Sequence, residues 1–163
     1  MQALPPLQIR PATPPDAPAL AEILHESFVE YAALYTQEAF AATTPNADQI
    51  LTRMREGPVW LAAREAEVLG TVAAELRGES AYVRGMAVLP RARGSGVGAR
   101  LLMQVEYWAS DRGCRRILLG TTPFLNAAIQ LYHRSGFRRT DAGPHELFGT
   151  PLFTMEKDIL RSK

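Results

Sequence analysis

The stretch that most restricts this chain runs from Met86 to Leu102, Met-Ala-Val-Leu-Pro-Arg-Ala-Arg-Gly-Ser-Gly-Val-Gly-Ala-Arg-Leu-Leu. Its apolar opening is stopped by Pro90, which lacks the N–H that a strand ladder needs. Glycines at 94, 96 and 98 follow, and Val97, Leu101, Val105 and Trp108 then recur at helical spacing. A strand therefore runs into a glycine loop that opens a helix. This is the geometry of an anion cradle, because residues without side chains let the backbone come close. Successive N–H groups and the helix dipole then point at a phosphate. Arg91, Arg93 and Arg100 add formal positive charge nearby.

Several ligand classes use such loops. A P-loop needs Gly-Lys and then Ser or Thr at the helix start, whereas Gly98 is followed by Ala99-Arg100. Gly94-Ser95-Gly96-Val97-Gly98-Ala99 does fit the dinucleotide pattern Gly-x-Gly-x-x-Gly/Ala. That fingerprint belongs in a leading βαβ unit with an acid about 20 residues on. Here three strand-like runs precede the loop, and the next strand ends at Gly120-Thr121 without an acid. A turn that only reverses the chain would need fewer glycines.

The rest of the chain surrounds this loop with alternating elements. Leu7–Arg10 reads as an opening strand. Thr13-Pro14-Pro15-Asp16 has the signature of a helix start, with Thr13 as N-cap and Asp16 closing a capping box. Ala17, Leu20, Ile23, Leu24, Phe28 and Tyr31 continue it as one apolar stripe. Thr44-Pro45 signals a second helix with Ile50, Leu51 and Met54 on its buried face, ended by Gly57-Pro58. Glu30 to Thr43, between them, reads as irregular. Val59–Ala63, Val68–Leu76 and Ala81–Leu89 are strand-like runs divided by Arg64-Glu65-Ala66-Glu67 and Arg77-Gly78-Glu79-Ser80, both short enough for antiparallel hairpins. After the loop helix, which ends near Arg112-Gly113, Arg116–Gly120 is a strand and Asn126–Ser135 a helix stopped by Gly136. Phe137–Thr140 and Leu152–Lys157 close the chain as strands. The order predicts an α/β (α+β) fold, with a mixed, mostly antiparallel sheet of about seven strands and about four helices on its two faces.

With 163 residues the chain has room for one domain, 1–163, and too little for two. Its 18 basic and 17 acidic residues leave a net charge of +1, without the basic excess that neutralises nucleic-acid phosphates. Cys114 is the single cysteine, which fits a reducing cytoplasm, and no motif makes it a nucleophile. Met1–Gln8 shows no basic-then-apolar leader, and no run of about 18 apolar residues predicts a membrane span. His25, His133 and His145 lack ligand spacing, so no metal is expected.

Arg93-Gly94-Ser95-Gly96-Val97-Gly98 resembles the acetyl-CoA signature of the GNAT acetyltransferase superfamily, Arg/Gln-x-x-Gly-x-Gly/Ala, and Val88-Leu89-Pro90 resembles the strand end that precedes it. A second stretch, Asn126-Ala127-Ala128-Ile129-Gln130-Leu131-Tyr132-His133-Arg134-Ser135-Gly136-Phe137, is similar to the family's Asn-x-x-Ala-x-x-x-Tyr-x-x-x-Gly-Phe, with Ile129 standing where alanine is commonest. The two motifs cover Met86 to Phe137. The resemblance implies that the amides of Arg93, Gly94, Ser95, Gly96, Val97 and Gly98 hold the coenzyme A pyrophosphate. It also implies a bulged strand at Met86, Ala87 and Val88 whose freed groups bind the pantetheine arm and the thioester carbonyl. Asn126 would contact the coenzyme arm and Tyr132 would stand by the sulfur. The sheet would then splay between the strands Ala81–Leu89 and Arg116–Gly120.

The implied activity is acetyl transfer from acetyl-CoA to a primary amine. Attack on a thioester forms an oxyanion that a backbone N–H can stabilise, and Val88 is the candidate donor. The departing thiolate has a pKa near that of cysteine, about 8.5, and a phenol near 10 can serve it as a weak general acid, which is the role expected of Tyr132. Without the motif Tyr132 would read as a core tyrosine on an amphipathic helix, and Asn126 as an N-cap, a role compatible with the coenzyme contact. Glu75 is the candidate base, beside Glu26, Glu30, Glu38 or a water relay. The acids and aromatics of Glu30–Glu38 suit a cationic amine, and surface decoration of a helix explains them too. A small-molecule amine is the expected acceptor, with protein lysines, protein N-termini or a non-catalytic coenzyme A sensor as alternatives. A homodimer is left open.

Overall fold

In a computed structural model, the described residues are 4–143 and 145–159. The first three residues of the Met1–Gln8 stretch therefore lie outside them. Among the described residues, eight strands form a sheet in the order β1-β2-β3-β4-β5-β8-β6, with β7 pairing β8 off this path. They are β1 (Leu7–Pro11), β2 (Val59–Arg64), β3 (Glu67–Arg77), β4 (Ser80–Val88), β5 (Arg116–Thr121), β6 (Arg138–Arg139), β7 (His145–Leu147) and β8 (Thr150–Asp158). Every pairing is antiparallel except β4 with β5. Five α-helices accompany them: α1 (Ala17–Phe28), α2 (Gln37–Thr43), α3 (Ala47–Glu56), α4 (Val97–Asp111) and α5 (Asn126–Arg134).

Consecutive strand residues point to opposite faces, and β3 shows what covers each. A β-carbon at Gly70 would touch Val97 and Leu101 of α4. The next residue, Thr71, lies with Leu20 and Leu24 of α1 and Ile50 of α3. Helices thus cover both faces, as the element order predicts. The fully buried centre includes Leu20, Leu61, Val72, Leu101, Val105, Ile117, Leu119 and Met155. At roughly 1.5–3 kcal/mol for each fully buried large aliphatic side chain, this core dominates what holds the layers together.

The helix starts follow their capping chemistry. Thr13 N–H donates to the Asp16 carboxylate at 2.7 Å, and Arg10 adds a bidentate pair at 2.8 and 3.0 Å, which holds the Asp16 carboxyl far below the usual carboxylate range. Three residues of 3-10 helix precede α1 here.

Three expectations need correction. The stretch Glu30–Thr43 is ordered as a 3-10 helix, Val29–Leu34, followed by α2, because Thr36 caps α2 by accepting from Ala39 N–H at 3.1 Å. The second predicted helix begins at an Asn46–Gln49 capping box rather than at Thr44-Pro45, with both reciprocal bonds at 2.9 Å. The short strand β7 adds an eighth strand, and its turn into β8 is tied to the start of α2. There Thr36 Oγ1 donates to the Phe148 carbonyl at 2.8 Å, and Thr36 N–H donates to Thr150 Oγ1 at 2.9 Å. Among the described residues no helix is long and apolar enough to cross a membrane.

Candidate active site

The parallel pair at the centre of the sheet is joined over only four positions, Ser80↔Arg116 to Val83↔Leu119. Beyond them β4 continues to Val88 and β5 to Thr121 without pairing each other. The cause is visible one strand away. On β4 the partner of Ala73 is Gly85 and that of Ala74 is Val83, so Arg84 is an extra residue. Such a bulge bends its strand and sharpens its twist, and here it coincides with the point where β4 leaves β5. The predicted splay is present, with the bulge two residues before Met86.

The unpaired edge of β4 is where backbone groups become available. Leu89 N–H donates to Leu69 on the β3 side at 2.9 Å. Alternation along a strand therefore turns the Val88 N–H the other way, toward the open edge. The Val88 carbonyl is met there by Ser27 Oγ at 3.2 Å.

At the mouth of the wedge the chain turns through Pro90–Ala92 into the glycine loop. Gly94 and Gly96 adopt φ of +79° and +88°, values that L side chains rarely take, and Gly96 is the N-cap of α4. It offers no side chain to the helix end, and the first intrahelical bond there runs from Arg100 N–H to the Gly96 carbonyl at 3.1 Å. The amides of Val97, Gly98 and Ala99 are thus the orphan donors at the positive end of a 15-residue helix. Gly98 is there for room, since a β-carbon would stand 2.5 Å from Leu131 Cδ2 of α5, across the wedge.

These features enclose a cavity of about 680 Å³. Met86, Ala87, Val88, Arg93, Gly94, Gly96, Gly98 and Tyr132 all line it. Others of the predicted set lie elsewhere. Ser95 turns its hydroxyl to the Ala92 carbonyl and staples the loop. The Val97 side chain is in the core. Asn126 is exposed at the first position of α5, whose N-cap is Leu125, and its side chain is not part of the cavity wall. Glu75 sits upstream on β3, where its carboxylate pairs with Arg77 at 2.8 Å and Arg84 at 3.6 Å. Ser27 and Leu131 line the cavity without having been singled out. Ser27 is a lone hydroxyl within an apolar helical stripe, and only the path of β4 makes it a neighbour of Val88.

Two of the three arginines near the loop have partners. Arg93 donates to Glu30 at 2.7 Å and to the Ser27 carbonyl at 3.0 Å, fastening the loop to the end of α1. Arg91 pairs with Glu67. Arg100 is exposed and forms no ion pair among the described residues.

Tyr132 is 8% exposed, packs against Phe137 at a centroid separation of 6.0 Å, and meets the cavity. Burial, with a smaller contribution from Tyr35, pushes its phenol up to about 12. Its hydroxyl forms no hydrogen bond among the described residues, so its donor is available to a ligand. Beyond it stands an aromatic wall, with Tyr35 4.9 Å from Phe124 and Phe124 6.2 Å from Tyr31.

The sequence profile described as the acetyltransferase (GNAT) family matches residues 17–137. The uncharacterized N-acetyltransferase YjgM of Escherichia coli (strain K12) is 31% identical over 140 residues, 82% of this chain and 83% of that protein. An aminoglycoside N(6')-acetyltransferase type 1 of Stenotrophomonas maltophilia is 29% identical over 149 residues, 82% of this chain and 87% of its own. Among solved structures, the PaiA N-acetyltransferase of Thermoplasma acidophilum, in complex with coenzyme A, shares the fold. Its TM-score is 0.80 at 19% identity, covering 94% of this chain and 99% of that one.

Proposed function

We propose that this chain, which belongs to the acetyltransferase (GNAT) family, moves the acetyl group of acetyl-CoA onto the primary amine of a small molecule. The observation that carries the reading is the wedge between β4 and β5, with a helix N-terminus at its mouth and Tyr132 on its wall. The residues suit the coenzyme. Three orphan amides and the unpaired Arg100 favour a pyrophosphate. The bare edge of β4 offers the amides of a pantetheine arm the partners an added strand would find. Coenzyme A bound to the Thermoplasma relative supports the same assignment.

Acetyl-CoA supplies an activated acyl group, and the chain supplies orientation and charge stabilisation. The Val88 N–H, turned to the open edge, meets the oxyanion that forms as the amine nitrogen bonds to the thioester carbon. The carbon–sulfur bond then breaks and the electron pair leaves on sulfur. Tyr132 attends this step as a hydrogen-bond donor rather than as a full acid. With the phenol pushed up to about 12, above the roughly 8.5 of a thiol in water, complete transfer to the thiolate is uphill. A short bond from the neutral phenol to the thiolate has no such cost. Glu75 is occupied by two guanidinium groups, so the amine's proton leaves through water in the open part of the cleft.

The test is release of free thiol from acetyl-CoA in the presence of a panel of small primary amines. Turnover that depends on the amine, with the N-acetyl product identified by mass, is the expected result. Turnover only on peptides, or none with any primary amine, would overturn the reading.

A further inference from the structure

On the face of the sheet covered by α1, α2 and α3, a group of charges gathers upstream of Val88. Arg77 and Arg84 share Glu75, and Arg84 also holds Glu56. Arg53 of α3 lies beside them, within electrostatic reach of Arg84, Glu56 and Glu75. Two carboxylates therefore serve three guanidinium groups, and both are engaged by Arg84 and Arg77. Arg53 is the charge left over. Among the described residues no carboxylate lies within salt-bridge distance of it, and its one hydrogen bond is a long 3.4 Å contact from Nη2 to the Ala42 carbonyl of α2. It is nevertheless half-buried. A guanidinium has five donors, and half-buried donors without partners are costly unless something else fills them. Burial first, and then the nearby Arg84 charge, lower its pKa from the usual arginine range.

Its position is set by Gly85. A β-carbon there would stand 2.9 Å from Arg53 Nη1, so the bare backbone of Gly85 leaves the guanidinium room to lie over β4. Gly85 precedes Val88 by three residues, about 10 Å along a strand. Arg53 and Gly85 line a small cavity with Leu20 and Leu24 of α1 and Ile50 of α3, and Tyr35 meets Thr43 of α2 and Thr122 just beyond β5.

We propose that Arg53 receives a carboxylate carried by the acceptor, so that the amine this enzyme acetylates belongs to a short amino acid. The proposal rests on the acetyl-transfer reading above and narrows its substrate class. The dimensions agree. A guanidinium–carboxylate hydrogen bond of about 2.8 Å, about 3 Å from carboxylate oxygen to amino nitrogen, and an attack distance of about 3.3 Å together span about 9 Å. The charge agrees as well. An excess guanidinium at this distance attracts a zwitterion's carboxylate and repels a polycation such as an aminoglycoside or polyamine, which has no anionic group to offer.

The experiment compares L-α-amino acids with their primary amides as acceptors in the thiol-release assay. The amide keeps the amine and loses only the negative charge. Its amine is less basic, so more of it is unprotonated at neutral pH and amine reactivity alone favours the amide. Wild-type kcat/KM is expected to favour the acid by about 10- to 100-fold, the range for a charged hydrogen bond. Arg53→Gln should raise KM for the acid with kcat little changed and bring the acid-to-amide ratio toward one. Arg53→Lys should restore part of it. A wild type that prefers the amides, or polyamines, overturns the proposal while leaving the acetyl-transfer reading intact. An Arg53→Gln variant that loses acids and amides equally overturns it too, as does an unchanged ratio. No turnover with any primary amine overturns both readings. The wild-type ratio needs no variant, so the result stands even if Arg53→Gln fails to fold.

Discussion

Tyr132→Phe removes one oxygen and leaves the ring, its packing against Phe137 and the volume of the cavity nearly unchanged. In the free protein the hydroxyl bonds to nothing among the described residues, so the substitution breaks no structural hydrogen bond. What it removes appears only when a negative charge develops on sulfur. A hydrogen bond to a charged group is worth about 1.5–3 kcal/mol, and the 8% exposure of Tyr132 argues for the upper part of that range. A loss of about 2–3 kcal/mol is a 30- to 150-fold fall in kcat, with kcat/KM falling alongside, because the bond exists in the transition state and not in the ground state. Acetyl-CoA affinity by calorimetry and the melting temperature should stay near the wild-type values. The pH profile separates this role from that of a titrating acid. With the phenol at about 12, wild type and Tyr132→Phe should show the same alkaline limb up to about pH 10, offset by a constant factor. An unchanged kcat would reduce the hydroxyl to packing. A wild-type limb that the variant lacks would refute the donor argument and restore Tyr132 as a titrating acid.

Other outcomes follow from the same geometry. Gly96→Asp forces a side chain onto φ of +88° and sets a carboxylate before the orphan amides, so acetyl-CoA affinity should fall by at least about 100-fold in calorimetry. Asn46→Ala removes the α3 cap and should cost about 1 kcal/mol, a melting shift of roughly 2–4 °C by calorimetric scan. The raised Tyr132 pKa also makes folding stability pH-dependent. The native phenol keeps its proton where the unfolded one has lost it, so the contribution is complete below about pH 10 and is lost on rising toward about pH 12. Relative to Tyr132→Phe, wild type should lose on the order of 1 kcal/mol by pH 11 in denaturant titrations.

The loop from Arg93 to Gly98 and the helix Asn126 to Tyr132 were legible because their chemistry is local. A glycine at positive φ and a tyrosine one face-turn along a helix are properties of a few adjacent residues. The parts that escaped depend on the third dimension. Arg53 reads in sequence as an ordinary polar residue on the outer face of α3, and only the bulge at Arg84 and the bareness of Gly85 give it a site. The helix α2 was missed because seven residues cannot establish a period, and its stability comes from the β7–β8 turn more than 100 residues away. Asn126 has the expected spacing, but the N-cap of α5 is Leu125, one residue earlier.

On the proposed function, the gap between β4 and β5 would also tie this protein's resistance to heat to its coenzyme supply. If coenzyme A binds as proposed, its pantetheine arm would complete the seam that the sheet lacks, and only the folded chain offers that seam. Mass action then adds about 2.7 kcal/mol of stability at a coenzyme concentration of 100 times Kd. For a chain of this size that is a rise in melting temperature of roughly 5–10 °C. The open-edge amides of Met86 and Val88 should exchange their hydrogens quickly when coenzyme is scarce and slowly when it is abundant. The amount of intact enzyme in a heated extract would thus record how much acetyl-CoA was present.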